Sequence, residues 1–212
     1  MKINKFILAL IVLSMAGTAV IYGSLPERIA LHFNINGEVD RWGGRASIWI
    51  TASIPLAVYL LLLFVPRIDP RRDSYSKHTR GYAILANTIT LFLIGLNWFT
   101  ILYSLGYDLS VQMYVLSGIG ILFMIIGNHL PNARQNYTFG IRTPWTLADE
   151  TSWVKTHRLG GIGFVATGVI AIVAAWLPGL FAFIIFLTAL VILLALIFIY
   201  SYLVFKRQRA GR

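Results

Sequence analysis

Residue types that could do chemistry first gather in the run His32-Phe33-Asn34-Ile35-Asn36-Gly37-Glu38-Val39-Asp40. An imidazole and two carboxylates that close in sequence could serve acid–base hydrolysis or hold a metal ion. Their spacing is not that of ligands on one helix face, and no hydrolase or metalloenzyme motif frames them. A network of charges and hydrogen bonds within a structured loop is the preferred reading. A second gathering lies between Gly127 and Gly161, with His129, Arg142, Lys155, His157 and Arg158. Two histidines on opposite sides of a loop read as hydrogen-bonded interface residues rather than as a metal pair. The cations there suit an anion or a lipid headgroup. With 0 cysteines in the chain, disulfides, thiolate metal sites and cysteine nucleophiles are excluded.

The elements that must position these residues are apolar. Hydrophobic residues make up 58% of the 212 and charged residues only 12%, half the share of an average soluble domain. Mean hydropathy is +0.74. The apolar residues run together over Phe6–Tyr22, Ser47–Val65, Gly81–Leu105, Leu109–Leu130, Gly160–Leu177 and Gly179–Phe205. Each run approaches or exceeds the roughly 20 helical residues that cross a bilayer. The fold class expected is therefore an all-α integral membrane protein with six transmembrane helices. The first run, preceded by Lys2 and Lys5 and carrying Gly17 and Ala19, reads as an uncleaved signal anchor. Pro55 should kink the second. None of the runs carries Asp, Glu, Lys or Arg in its central portion, which disfavours a pump or ion-coupled exporter. Asn87, Thr90 and Asn97 on the third fall within about 80° of one another. They read as interhelical hydrogen-bonding groups in preference to the lining of a polar cavity.

Tyr107–Asp108 and Pro178–Gly179 mark tight turns, and the longer connections are Ser24–Ala46, Pro66–Arg80 and Pro131–Leu159. In the first of these, Ile29, Leu31, Phe33 and Ile35 alternate with Ala30, His32, Asn34 and Asn36. That is the period of a strand with one buried face, and Asn36-Gly37 signals a tight turn. A short extracellular hairpin between helices 1 and 2 is expected. In the last, Thr146 with Asp149 three residues on predicts the N-cap of a polar helix that ends just before the fifth span. Trp145 and Trp153 would sit at headgroup depth. Placing the N-terminus inside leaves Arg28, Arg41 and Arg45 outside and the other 15 of the 18 basic residues inside. The positive-inside rule then puts both termini in the cytoplasm of a multi-pass plasma-membrane protein. The net charge of +10 is read as topology and lipid contact, with no direct nucleic-acid partner. The chain divides into an N-terminal two-helix membrane domain, 1–80, with external loop 24–46, and a C-terminal four-helix membrane domain, 81–212, with cytoplasmic loop 131–159.

Two stretches resemble a known family. Leu25-Pro26-Glu27-Arg28-Ile29, His32-Phe33-Asn34, Gly37-Glu38, Asp40 and Trp42-Gly43 resemble the N-terminal domain of unknown function that opens SdpI-type immunity proteins. Gly127-Asn128, Pro131, Asn136-Tyr137, Gly140-Ile141-Arg142-Thr143-Pro144-Trp145-Thr146-Leu147, Trp153 and Lys155-Thr156-His157-Arg158-Leu159-Gly160-Gly161 are similar to that family's C-terminal signature. The resemblance implies a non-enzymatic receptor that protects a cell from a secreted toxic peptide acting on the membrane. It also implies signalling, in which toxin occupancy lets the protein hold a cytoplasmic repressor protein at the membrane. Ligand or partner contacts would then come from His32, Asn34, Glu38, Asp40 and Trp42 outside. Inside they would come from Asn128, Tyr137, Arg142, Thr143, Pro144, Trp145, Trp153, His157 and Arg158. Membrane lipids are further partners, and no cofactor or metal is expected. The rival readings are a membrane-embedded enzyme acting on lipid or cell-wall precursors, and a small exporter.

Arg142 stands out as a functional cation, a planar five-donor group between Gly140 and Pro144 with Asp149 and Glu150 as candidate partners in the chain. The orientation has a direct check. A phosphatase reporter active only outside the cell is expected to work when fused after Gly37 and to fail when fused after Ser76. The reverse pattern would invert the faces.

Overall fold

A computed structural model describes residues 3–73 and 79–210; Lys2, Lys77 and Arg212 of the charge count, and the fusion point Ser76, lie outside the described residues. The chain forms α1 (Lys5–Ile21), strands β1 (Arg28–Phe33) and β2 (Val39–Gly44), then α2 (Ile48–Ile68), α3 (Thr79–Ser104) and α4 (Val111–His129). A five-residue helix α5 (Pro144–Ala148) precedes α6 (Glu150–Ala174) and α7 (Gly179–Ala210). Six of the helices are long and apolar enough to cross a membrane: α1, α2, α3, α4, α6 and α7. Their outer faces leave large apolar side chains uncovered, among them Val20, Leu61, Ile162, Phe181 and Leu194. Apolar surface on that scale would be a liability in water and is the expected covering in lipid. The fold is an all-α membrane bundle with a short hairpin between its first two spans.

Local chemistry sets where the helices begin. Asn4 Oδ1 accepts from the amides of Phe6 and Ile7 at 3.1 and 3.4 Å, capping α1. Ser110 Oγ accepts from Met113 N at 3.2 Å and caps α4. Helix α2 runs unbroken through Pro55.

The first three helices form one group. Ile7 and Ile11 of α1 bury against Tyr59 and Leu63 of α2, and Leu25, Ile29, Ile48 and Ile101 bury beneath the hairpin. Asn97 of α3 joins all three helices, donating from Nδ2 to Thr18 Oγ1 (3.1 Å) and accepting from Thr51 Oγ1 (2.9 Å). Trp98 Nε1 donates to Ser14 Oγ at 2.9 Å, and Gly17 leaves room for its ring. The expected interhelical role holds for Asn97. Thr90 differs, turning its hydroxyl back to Ala86 O of its own helix.

The second group is built on α6. Helix α4 lies against it where Gly127 meets Gly161 and Gly120 meets Gly168. A Cβ on Gly161 would come within 2.7 Å of the Gly127 carbonyl oxygen, and one on Gly120 within 2.6 Å of the Gly168 oxygen. The contacts recur seven residues apart on both helices, with the chains antiparallel. Small residues at such a seam let two backbones approach closely, and dispersion between them replaces the hydrophobic effect that lipid does not supply. Helix α7 packs on the other side of α6 through Leu193 and Ile197. The groups meet where Phe99 stacks on Tyr114 at 4.7 Å between ring centroids.

The hairpin is antiparallel, with Ile29 opposite Gly43, Ala30 opposite Trp42 and Phe33 opposite Val39, and its register shifts on either side of His32. Gly37 takes φ +80° at the turn, which the Asn36-Gly37 signal anticipates. Ile29 is buried, whereas Leu31 and Ile35 are exposed. The alternating face therefore meets the core through Ile29 and through Phe33, which packs edge-on against Phe99 and Tyr103, while Leu31 and Ile35 border an open cleft.

The glycine seam gives a stability prediction. Gly120→Ala or Gly168→Ala should destabilise the protein in detergent by about 1–3 kcal/mol, the usual range for overpacking. Gly23→Ala, where nothing lies within 4 Å, should leave the unfolding temperature unchanged.

Candidate functional site

The residues singled out in sequence separate into the two ends of the bundle. At the end that carries both termini, α4 runs into a 3-10 turn, Leu130–Asn132, and the chain then crosses back as an irregular loop to α5. A loop has no ladder to satisfy its backbone, so side chains must do it. Asn136, fully buried, accepts at Oδ1 from Thr138 N (3.0 Å) and Phe139 N (2.6 Å) and donates to Arg134 O (2.8 Å). Asp69, 2% exposed just past α2, accepts from Tyr137 N at 3.0 Å and from Thr138 Oγ1 at 2.8 Å. Its other oxygen accepts from Arg71 N at 2.7 Å. Gln135 donates to the carbonyls of Thr146 and Leu147 and accepts from Arg71 Nη1.

Helix α6 supplies the floor. Trp153 and His157 stack at 4.0 Å, both 0% exposed. Trp153 Nε1 donates to Ala133 O at 2.7 Å. His157 Nε2 accepts from Ile141 N at 3.0 Å, and its Nδ1 lies 2.8 Å from Trp153 O. An imidazole protonated at Nδ1 and free at Nε2 satisfies both contacts at once. Gly140 takes φ +103°, and a side chain there would run into the His157 ring. Thr143 and Thr146 cap α5 reciprocally, and Thr143 Oγ1 bonds Ser201 Oγ of α7 at 3.0 Å. Ser152 Oγ also donates to Ser201 O at 3.0 Å.

Three expectations are corrected here. Thr146 does not open a polar helix that stops before the fifth span. Thr143 caps the short α5, and Asp149, with its side chain on Ser152 N, caps α6, which continues unbroken into the membrane. Trp153 does not present its ring to the headgroups as a belt tryptophan would, because the loop folds over it and takes its N–H. Arg142 pairs with neither Asp149 nor Glu150; its Nη1 donates to Tyr137 O at 2.9 Å. The expectation of hydrogen-bonded histidines agrees with His157, and with His129, whose Nδ1 lies 2.9 Å from Ile125 O.

The remaining signature residues are on display. Tyr137, Arg142, Pro144, Arg158 and Asn128 are exposed, and Trp145 is half-buried against Phe198 and Tyr202. Asn128 borders a shallow hollow of about 380 Å³ with Gly127, Pro131 and Gly161. Asp69, Gln135 and Ser201 were not anticipated. A lone aspartate after an apolar run carries no local signal of the loop 68 residues away that it will hold.

At the other end the hairpin overhangs a cleft. An outer chamber of about 320 Å³ lies between its tip and the first turns of α4 and α7, lined by Leu31, Phe33, Ile35, Val111, Leu116 and Phe183, with His32, Asn34 and Gln112 as the polar groups. An inner chamber of about 220 Å³ shares Leu31, Phe33, Val111 and Val115 and reaches Thr51, Asn97 and Thr100. The hairpin tip rests on Gly179, where a Cβ would meet the Ile35 carbonyl oxygen at 2.5 Å. Such a cleft, apolar with a few polar groups, is the usual form of a binding site for an apolar ligand. His32 Nδ1 and Asp40 Oδ1 are 2.7 Å apart, but both side chains are well exposed. Asn34 meanwhile ties the turn, donating to Glu38 Oε2 at 3.0 Å and accepting from the Asn36 and Glu38 amides. Trp42 stands exposed on β2. Among the described residues no three His, Cys, Asp or Glu side chains converge as a metal site.

These two ends correspond to two segments known from other proteins. Residues 9–55 match a domain of unknown function, DUF1648, and residues 132–202 match the SdpI/YfhL protein family. Both matches extend past the short motifs, the second through Ser201 to Tyr202. The immunity protein SdpI of Bacillus subtilis (strain 168) is 28% identical over 212 residues, covering 100% of both chains. No solved structure matches. With both segments in place and a relative aligned from end to end, the chain is similar over its whole length to the immunity protein SdpI and, over 132–202, to the SdpI/YfhL protein family.

Proposed function

We propose that the protein is a membrane immunity protein, protecting the cell that carries it from a secreted peptide that acts on the membrane. The observation that carries this reading is the end-to-end likeness to an immunity protein. The cleft supports it. Its walls are apolar, as a membrane-active peptide requires, and its mouth offers His32, Asn34 and Gln112 to fix an orientation. The role is binding, not catalysis. The exposed His32–Asp40 pair lacks the buried, oriented third group that acid–base chemistry uses.

In this reading the hairpin faces outward and meets the peptide, and the basic end with both termini lies in the cytoplasm. Helix α7 joins the two ends, since Gly179 supports the hairpin tip and Ser201 holds Thr143 and Ser152. Occupancy of the cleft would be passed along it to the signature loop, whose exposed residues would dock a repressor.

Expressed in a sensitive strain, the protein should preserve membrane potential during exposure to its cognate toxin. Equal depolarisation with and without it, at matched membrane levels, would defeat the proposal. Val115 borders both chambers. Val115→Phe should therefore fill the passage and raise toxin sensitivity by on the order of tenfold, which corresponds to about 1.4 kcal/mol of binding, without lowering the amount of protein in the membrane. Unchanged protection in that variant would remove the cleft from the account.

A further inference from the structure

Tyr137 is a hub for three separated parts of the chain. Its amide donates to Asp69, its carbonyl accepts from Arg142, and its ring lies under the Arg71 guanidinium at 5.3 Å from carbon to centroid. The residue is 44% exposed. Each arginine is moored by one nitrogen, Arg71 Nη1 on the Gln135 side-chain oxygen and Arg142 Nη1 on Tyr137 O. A guanidinium has five N–H donors in one plane, so both keep donors to spare. Neither is paired with a carboxylate among the described residues. Asp69, two residues before Arg71, directs its oxygens to the Arg71 and Tyr137 amides and the Thr138 hydroxyl. Asp149 is engaged at the start of α6.

Two guanidiniums moored at one residue, Arg71 over the Tyr137 ring and Arg142 on its backbone carbonyl, are more than topological charge. We infer that Arg71 and Arg142, set around Tyr137, form a binding site for a phosphate oxyanion, such as an anionic phospholipid headgroup carries. Guanidinium matches phosphate with parallel N–H···O bonds that a lysine ammonium does not reproduce. The level is right for a headgroup: Arg71 follows the last turn of α2, and Arg142 precedes the short helix that leads into α6. The mooring bonds hold both side chains before any ligand arrives, which reduces the entropy lost on binding. This site does not depend on the immunity reading and is tested without a toxin.

The full chain, purified in detergent, would be offered phosphatidylglycerol or phosphatidylcholine, and retained lipid counted by native mass spectrometry. The wild type should keep phosphatidylglycerol in preference. Arg71→Gln and Arg142→Gln should each weaken retention by on the order of tenfold, the loss typical of one charge-assisted contact. Arg207→Gln, an equal change of charge on the exposed end of α7, should not. Displacement of the lipid by inorganic phosphate would make free phosphate a ligand too; resistance to it would fix the lipid headgroup as the source. Because lysine keeps the charge, loss of lipid from Arg142→Lys with an unchanged unfolding temperature would support a guanidinium site. Full retention by the Arg71→Lys, Arg142→Lys double variant would overturn it. So would equal losses in Arg207→Gln, or binding of polyglutamate with no binding of either phosphate probe.

Discussion

A chain embedded in lipid has no water to satisfy its backbone, and each N–H or C=O left without a partner costs several kcal/mol. The spanning helices meet that constraint within themselves. The difficulty falls on the segments where the chain leaves the helix at the ends of the bundle. The hairpin solves it with a two-stranded ladder. The loop between α4 and α5 has no ladder, and it draws on side chains from four places: Asp69 past α2, Asn136 and Thr146 nearby, and Trp153 and His157 on α6.

That solution explains the character of the signature. Its small, aromatic and amide residues are mostly engaged in holding the loop. Gly140 leaves space for His157, Thr143 and Thr146 cap α5, and Trp153 closes the floor. What the loop then presents is short: Tyr137, Arg142 and Pro144, with Arg71 brought in from the preceding connection. Ser201 ties the loop to α7, and Gly179 at the other end of that helix supports the hairpin. The 22 residue steps from Gly179 to Ser201 span about 33 Å, so the cleft and the loop share one rigid element.

Much of this was legible in the sequence, for physical reasons. The spans follow from composition alone, since few residues interrupt the apolar runs, and Asn36-Gly37 marks a turn because few other residue pairs take its backbone so readily. His157 as a hydrogen-bonded histidine also follows, from the poor spacing for metal. The rest depended on contacts distant in sequence. Thr146 and Asp149 look like one capping pair, yet each belongs to a different helix start. Trp153 has the type of an interface residue and is buried by a loop that begins 20 residues earlier. The roles of Asp69 and Arg71 arise only when the end of α2 meets the loop.

The central claim is that the loop is a fixed part of the bundle, held by α6, and not a mobile connection. Hydrogen exchange of the full chain in detergent, followed by mass spectrometry across 133–143, tests this directly. His157→Phe keeps a ring against Trp153 but removes the acceptor for the Ile141 amide. In the wild type these amides should be protected nearly as well as those of α6. In the variant they should exchange much faster while α4 and α6 remain protected. Rapid exchange of the loop in the wild type, or equal protection in the variant, would contradict the account.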